Sequence, residues 1–172
     1  REPYFSRTGQ VYRTRAIKYP YALDVYVAFV WRMFDVRPNE WRVTELATSR
    51  DGIHWKNWGE PYYFPTGGEI EPGVKVIEAL SLDALARQGD FLFQYALQKN
   101  ATHFERSAKD RIVRYRQRLD GFISLDAASD REGWLRTNPF TFDGKKLELN
   151  LDAQNGLAKV AILNKGGGAI PG

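Results

Sequence analysis

Apolar residues early in the chain gather in short runs of strand length. Ala22–Trp31 is apolar at nearly every position, which is typical of a strand buried on both faces. Trp41–Ser49 follows after a turn-like stretch, and Asp51-Gly52 marks a tight turn because glycine adopts a positive φ at little cost. Ile53–Trp58 has the composition of another short strand. The pattern predicts consecutive strands joined by tight turns.

The middle of the chain shows alternation with a period of two residues. In Phe91–Leu97 the large residues at odd positions give one strongly apolar face, as expected for a strand. Ile112–Gln117 and Phe122–Leu125 have the composition of two further strands. We therefore expect the sheet to continue through this region.

Leucines alternate with polar residues near the end of the chain. Leu147–Leu151 and Leu157–Leu163 are separated by Asn155-Gly156, a dipeptide that favours tight turns. The sequence predicts a β-hairpin here, and it is the clearest hairpin pattern in the chain.

Two segments interrupt the strand pattern. Pro61–Gly73 is rich in proline and glycine and is predicted to be a loop. Ser81–Gln88 is the one predicted helix, with Ser81 as its N-cap and Gly89 just past its end. It would span two turns at most. Many strands with almost no helix predict an all-β sandwich, barrel or propeller.

The character of the strands changes between residues 125 and 133. The earlier strands are rich in aromatic residues, and the later ones are rich in leucine. Ala127–Asp130, followed by Gly133, has the composition of a connector. We predict two β modules, residues 1–126 and residues 127–172.

Composition narrows the class of protein. The 172 residues are 43% hydrophobic and 27% charged, the balance of a globular protein, and no apolar run approaches the roughly eighteen residues of a membrane-spanning helix. The absence of cysteine excludes disulfides, thiol nucleophiles and zinc–thiolate sites. It leaves the compartment open, and an extracellular or periplasmic location is slightly favoured.

The net charge of +4 has a local source. Residues 105–118 hold six cationic side chains and two anionic ones. A solvated strand face is favoured over a nucleic-acid groove, because one tyrosine is the only stacking ring in the run and no nucleic-acid motif surrounds it. We expect neither a nucleic-acid nor a membrane partner. The six cationic residues are Arg106, Lys109, Arg111, Arg114, Arg116 and Arg118.

Common catalytic and cofactor motifs are missing from the sequence. There is no serine-hydrolase elbow, phosphate-binding loop or dinucleotide fingerprint. The two histidines, His54 and His103, are isolated and lack the spacing of metal ligands. No cofactor and no metal are expected.

Carboxylates and aromatic rings remain as candidate chemistry. Glu69 and Glu71 would share one side of an extended segment, and such a pair hydrolyses acetals when its carboxyl groups stand about 5–10 Å apart. Solvated loop carboxylates are the alternative. Aromatic rings beside polar groups suit sugar recognition, although most rings in a β protein pack in the core. The candidate rings are Trp31, Trp41, Trp55, Trp58, Tyr62, Tyr63 and Tyr95.

Three segments, in this order, resemble one family. Leu46–Trp55, which reads LATSRDGIHW, resembles the S-x-D-G-x-x-W hairpin of five-bladed β-propeller glycosidases. Arg118–Leu125 is similar to the strand that leaves the last blade, and Thr137–Asn150 to the first hairpin of the appended β-sandwich. Together, across about Tyr12–Leu163, they resemble glycoside hydrolase family 32 and, more distantly, family 43.

The resemblance implies an incomplete architecture. Blades of about 40–50 residues leave room for the last two to three blades in residues 1–126, and residues 127–172 would begin a truncated sandwich. With Arg1 at the head of the chain and no initiator methionine, we expect this to be the middle-to-late part of a longer protein. The rest of its own propeller and sandwich would then be its partner, together with a carbohydrate substrate.

The function implied by the resemblance is glycosidic-bond hydrolysis by two carboxylates. The family motifs that carry its catalytic residues are absent, so the catalytic residues are unknown and enzymatic activity stays uncertain. Glu71 would begin the innermost strand of the final blade, and Tyr95 and His103 would line the same pocket as substrate-binding residues. The alternative is a non-catalytic carbohydrate-binding or structural β-propeller protein.

Overall fold

Residues 9–34, 41–61, 69–154 and 156–171 are described in a computed structural model of the protein. The chain divides into two compact units, Arg1–Leu119 and Asp120–Gly172. No helix occurs among the described residues, which confirms the all-β class. Accordingly, no helix in that part of the chain is long and apolar enough to span a bilayer.

All the named strands lie in the first unit, and the strand predicted at Trp41–Ser49 has these bounds in the structure. The first strand was missed, because its residues are mostly exposed and lack an apolar face. The strands are β1 (Gln10–Lys18), β2 (Tyr26–Phe34), β3 (Trp41–Ser49), β4 (Trp55–Pro61), β5 (Glu69–Glu71), β6 (Val74–Lys75), β7 (Glu78–Gln88), β8 (Phe91–Lys99) and β9 (Arg111–Arg118).

Seven strands form one mixed sheet in the order β1-β2-β3-β7-β8-β9, with β4 paired to β3, and β5 and β6 form a separate two-stranded sheet. Every pairing in the large sheet is antiparallel except that of β3 with β7. The sheet therefore consists of two antiparallel meanders, β1–β4 and β7–β9, joined by one parallel contact.

The junction between the meanders is narrow and uses side chains. The backbones of β3 and β7 pair only at Val43 and Ala79. Next to this pair, the Thr44 hydroxyl donates to the carbonyl of Ala79 at 3.0 Å and accepts from the amide of Ser81 at 2.9 Å. The indole of Trp31 donates to the carbonyl of Ser81 at 3.2 Å. Side chains thus replace part of a backbone ladder.

The core of this unit lies along β2 and its neighbours. Val27, Ala28, Phe29, Val30 and Trp31 are all buried, so the prediction of a strand buried on both faces is confirmed. The strand begins at Tyr26, later than the apolar run suggests. The preceding residues form a turn in which Asp24 has a φ of 51°.

On β8 the face with the smaller residues is the buried one. Leu92, Gln94 and Ala96 are almost completely buried, whereas Phe91 and Tyr95 are exposed. Small side chains allow close approach on the buried side, where Ala96 packs with Ala79, Val76 and the ring of Tyr115. The alternation was predicted correctly, but the aromatic face is the more open of the two.

The predicted helix at Ser81–Gln88 is wrong, because these residues belong to β7. Ser81 is buried and its amide donates to Thr44, so it does not act as an N-cap. Pairing with β8 overrides the weak helical propensity of this segment. Gly89, with a φ of 58°, forms the turn into β8.

The strands predicted in the second unit are also wrong. Phe122–Leu125, Leu147–Leu151 and Leu157–Leu163 contain no strand, and one isolated bridge joins Leu163 to Ala169. Asn155, half of the predicted turn, lies outside the described residues. A lone two-stranded hairpin is marginal without a sheet or helix to cover it. The apolar residues of the unit are accordingly exposed, among them Trp134, Leu135, Phe140, Leu147, Leu149, Leu157 and Ile162.

Candidate functional site

The hairpin between β3 and β4 is held by two side chains. The Ser49 hydroxyl accepts hydrogen bonds from the amides of Asp51 and Gly52 at 3.2 and 2.9 Å. The Asp51 carboxylate accepts from the amides of Ile53 and His54 at 2.8 and 2.7 Å. Four backbone donors of the turn are therefore satisfied by two adjacent side chains.

Asp51 also binds the imidazole of His54, with 2.6 Å between Oδ2 and Nδ1. This hydrogen bond raises the pKa of His54 and, with the backbone amides, holds the pKa of Asp51 well below its usual range. The Trp55 indole donates to the carbonyl of Gly52, whose φ is 76°. The hydrogen bonds of this turn are therefore made by side chains of the hairpin itself.

A buried ion cluster lies where β3 and β7 begin and β8 ends. The guanidinium of Arg42 makes two hydrogen bonds to the Glu78 carboxylate, at 2.9 and 2.8 Å, and Lys99 Nζ lies 3.3 Å from the same carboxylate. Glu78 is 0% exposed, and Arg42 and Lys99 are each 7% exposed. Two cations thus contact one anion, and this pairing offsets part of the desolvation free energy of the buried charges.

Aromatic rings lie over and beside this buried ion cluster. The Arg42 guanidinium is 5.1 Å from the ring centroid of Tyr12, which bulges out of β1, and 5.7 Å from that of Trp31. The ring of His103 meets Tyr12 edge-on at 5.2 Å and Phe104 at 4.5 Å. Tyr12 and Phe104 are exposed, so this end of the sheet offers open rings.

Glu71 is held by an ion pair on the surface. Its carboxylate lies 2.7 Å from Arg111, and the Arg111 Nε donates to Gln98 at 3.2 Å. Gln98 in turn donates to the Tyr115 hydroxyl at 2.6 Å, and burial raises the pKa of that tyrosine. With 59% of its side chain exposed, Glu71 is accessible but already neutralised by a cation.

A third glutamate escaped the sequence analysis. Glu45 is buried on β3 and accepts hydrogen bonds from Arg32 and Asn57, each at 2.8 Å. Neither Glu45 nor Glu78 was predicted, because a charged residue within a strand carries no sign of the residue that will pair with it. The ion-pair partners are brought together by the cross-strand register, in which Glu45 lies opposite Val30 and Glu78 lies opposite Lys99. This register is set by the fold.

Tyr95 lies on the open side of β8 and is 37% exposed. Strand alternation places it with Phe91 and Phe93, opposite arginines of β9. The guanidinium of Arg114 stacks 5.0 Å from the ring centroid of Phe93, and that of Arg116 stacks 4.8 Å from that of Phe91. We call this surface the arginine–aromatic face, formed by Phe91, Phe93, Tyr95, Arg114, Arg116 and Arg118.

The three predicted binding residues have three different sets of neighbours. Glu71 contacts Arg111, His103 contacts the rings of Tyr12 and Phe104, and Tyr95 belongs to the arginine–aromatic face. A single pocket lined by all three remains a prediction.

Most of the other aromatic residues proposed for sugar binding are either packed against neighbouring side chains or lie outside the described residues. Trp31 is a core residue, and Trp58 donates to the Thr48 hydroxyl while Lys56 lies 3.8 Å above its ring. Tyr62 and Tyr63 lie outside the described residues, as do the side chains of Trp41 and Glu69. The predicted pair of Glu69 and Glu71 thus has one described member.

Among the described residues, no three histidine or carboxylate side chains are grouped so that they could hold a metal ion. Comparison of the chain with protein-family models, with curated proteins and with solved structures gave no match. The features of the protein that bear on its function are therefore the β3–β4 hairpin, the ion pairs and the exposed rings.

Proposed function

We propose that this chain is part of a β-propeller glycoside hydrolase that acts on oligo- or polysaccharides through two carboxylates. One observation carries the proposal: the β3–β4 hairpin, in which Ser49, Asp51 and Trp55 each hold the turn through a side-chain hydrogen bond. These are the residues that the resemblance to propeller glycosidases rests on. All three side chains form hydrogen bonds within the same turn, which explains why these residue types occur together at this spacing.

The arrangement of the first four strands supports the same proposal. A propeller blade is a four-stranded antiparallel sheet, and β1–β4 form a four-stranded antiparallel meander. The second meander, β7–β9, joins it through the single pair Val43–Ala79. With this single backbone pair between them, each meander keeps its own antiparallel pairing, as separate blades would.

Exposed rings beside polar groups support a carbohydrate ligand. Tyr12, Tyr95 and Phe104 are all exposed, and each lies near a cationic side chain or a histidine. A ring stacks on the C–H face of a sugar, and neighbouring charged groups bind its hydroxyls. The protein offers such surfaces on β1, on β8 and in the loop after β8.

Ion pairing of the glutamates favours a second candidate function, non-catalytic carbohydrate binding. Glu45, Glu71 and Glu78 each bind an arginine at 2.7–2.9 Å. A carboxylate that acts on a glycosidic bond must reach the sugar with a free oxygen. The arginines already bind the carboxylate oxygens, and burial of Glu45 and Glu78 keeps these two away from a sugar.

The test is hydrolysis and binding by the full-length protein. Fructans, arabinans and aryl glycosides are supplied as substrates, and binding is measured by calorimetry. Hydrolysis of any of these substrates supports the enzyme. Binding without hydrolysis supports the second candidate, and loss of both overturns the carbohydrate proposal.

Tyr95→Ala is the matched variant for binding, because its ring is exposed and lies outside the core. We expect sugar affinity to fall about tenfold, from the loss of one stacking ring. Tyr95→Phe serves as the control, since it keeps the stacking ring at the same place and removes only the hydroxyl. Equal affinity for Tyr95→Ala and the unaltered protein would remove this ring from the site.

A further inference from the structure

We propose that the arginine–aromatic face binds a polysaccharide that carries carboxylate groups, an inference that rests on the proposed carbohydrate function and names its ligand class. The face combines the exposed ring of Tyr95 with outward-pointing arginines of β9. It therefore offers a stacking surface and an anion-binding surface on the same side of one sheet.

The arginines of this face form a regular row. Arg114, Arg116 and Arg118 lie at alternate positions of β9, so their Cα atoms are spaced by about 7 Å. Two of the three guanidiniums lie over phenylalanine rings, with Cζ 5.0 Å from the centroid of Phe93 for Arg114 and 4.8 Å from that of Phe91 for Arg116. A stacked guanidinium keeps its N–H donors free at its edge, and this edge matches both oxygens of a carboxylate.

The charge of this row is not neutralised within the described part of the chain. Arg111, on the other side of the same strand, pairs with Glu71, whereas no described carboxylate pairs with Arg114, Arg116 or Arg118. Among the described strands, β9 is also an edge of the sheet and pairs with β8 alone. Within the described part of the chain, Arg114, Arg116 and Arg118 are all exposed, so the row can meet an extended anionic chain.

The stacking geometry favours a carboxylated glycan over a single-stranded nucleic acid. Nucleic-acid platforms stack successive bases on open aromatic rings. Here Arg116 and Arg114 stack on the rings of Phe91 and Phe93, and Tyr95 is the ring of the face with no guanidinium stacked on it. One open ring beside three guanidiniums suits one sugar face and a series of carboxylates.

The experiment compares the binding of three polymers to the full-length protein. Oligogalacturonate is the carboxylated glycan, its methyl ester is the neutral match, and oligothymidylate of equal charge represents nucleic acid. Calorimetry in about 0.15 M salt gives the affinities. We expect oligogalacturonate to bind at least tenfold more tightly than its ester and than oligothymidylate.

Two double variants locate the site. Arg114→Lys with Arg116→Lys keeps the charge but removes the flat two-donor edge, and we expect a loss of about tenfold for oligogalacturonate alone. Arg13→Lys with Arg15→Lys makes the same change on β1, the opposite edge of the sheet, and should change nothing. Unchanged affinity of the Arg114→Lys, Arg116→Lys variant would mean that charge alone drives binding and would overturn the inference. Equal losses in both double variants would mean that binding is not localised to β9 and would overturn it as well.

Failure of this inference is distinguishable from failure of the proposed function. Equal binding of oligogalacturonate and its ester overturns the carboxylate preference and leaves carbohydrate binding intact. Tighter binding of oligothymidylate identifies the face as a nucleic-acid surface and overturns the inference. If oligogalacturonate, its ester and the neutral glycans all fail to bind, both proposals fall.

Discussion

Single hydroxyl groups hold critical points of this sheet. Ser49 organises the turn between β3 and β4, and Thr44 links β3 to β7 beside their one backbone pair. Both side chains act on backbone groups that a regular ladder would otherwise pair. Their contribution depends on hydrogen bonding, so isosteric variants that remove only the hydroxyl test it.

Thr44→Val should lower the free energy of unfolding by about 1–3 kcal/mol, because the buried amide of Ser81 loses its acceptor on Thr44. Thr44→Ser keeps the hydroxyl and should cost less. Urea unfolding of the two variants and the unaltered protein measures the difference. Equal stabilities of Thr44→Val and Thr44→Ser would contradict the proposed link between the meanders.

Ser49→Ala should lower the free energy of unfolding by about 1 kcal/mol, because the amides of Asp51 and Gly52 lose their acceptor. The same urea experiment measures it, and hydrogen exchange should locate the effect in the turn. A variant as stable as the parent, with unchanged exchange at residues 51–54, would show that the hydroxyl is dispensable.

The Asp51–His54 pair should make the hairpin sensitive to pH. The pKa of His54 is raised above its ordinary 6.5, so its stabilisation is complete below pH 6.5 and is lost as the pH rises through the raised value. The pKa of Asp51 is lowered, so its stabilisation is present above pH 3.8 and is lost as the pH falls further.

Titration of the His54 ring by NMR should therefore give a midpoint above 6.5, and Asp51→Asn should bring it back toward 6.5. The destabilisation caused by Asp51→Asn should also be larger at pH 5.5 than at pH 9, because the charged pair exists only at the lower pH. An unchanged midpoint in Asp51→Asn would show that the pair does not form in solution.

At the scale of elements, alternation and turn residues predicted the strands that carry an apolar face and are followed by a clear turn dipeptide. Trp41–Ser49 forms β3 with the predicted bounds, and Asp51-Gly52 turns the chain back into β4. Ser81–Gln88 was misassigned because its partner, β8, supplies the decisive hydrogen bonds. The hairpin predicted at 147–163 was wrong because alternating leucines indicate that a segment could form a strand. They do not indicate whether another surface covers the leucine side chains.

The candidate site was less predictable than the strands. Glu71, Tyr95 and His103 were selected for the places that the family resemblance gives them around one pocket. Each lies beside a cation or another ring in the structure. The buried ion cluster was missed, since Arg42, Glu78 and Lys99 are far apart in sequence. Only the pairing of β3 with β7 and of β7 with β8 brings them together.

The buried ion cluster should dominate the stability of the strand junction. Glu78→Gln leaves Arg42 and Lys99 buried without an anion, and we expect it to lower the free energy of unfolding by about 3–5 kcal/mol. Glu71→Gln is the control, because its ion pair is exposed and should contribute less than about 1 kcal/mol. Thermal unfolding of both variants measures this, and similar costs would contradict the role of burial.

At the scale of the whole molecule, the two units differ in how much apolar surface they cover. The first unit buries a continuous set of residues along β2, β3, β7 and β8, and its edge strands β1 and β9 carry arginines that discourage edge-to-edge association. The second unit leaves large side chains such as Trp134 and Leu157 open. We attribute this to the proposed need for further strands of the same protein.

An experimental structure of the full-length protein tests the central claim most directly. We expect β1–β4 to form one blade, β7–β9 to belong to the next, and both to be arranged around a common axis. If the same strands instead close into a self-contained barrel, the propeller assignment is contradicted, and the proposed hydrolysis of glycosidic bonds loses its foundation.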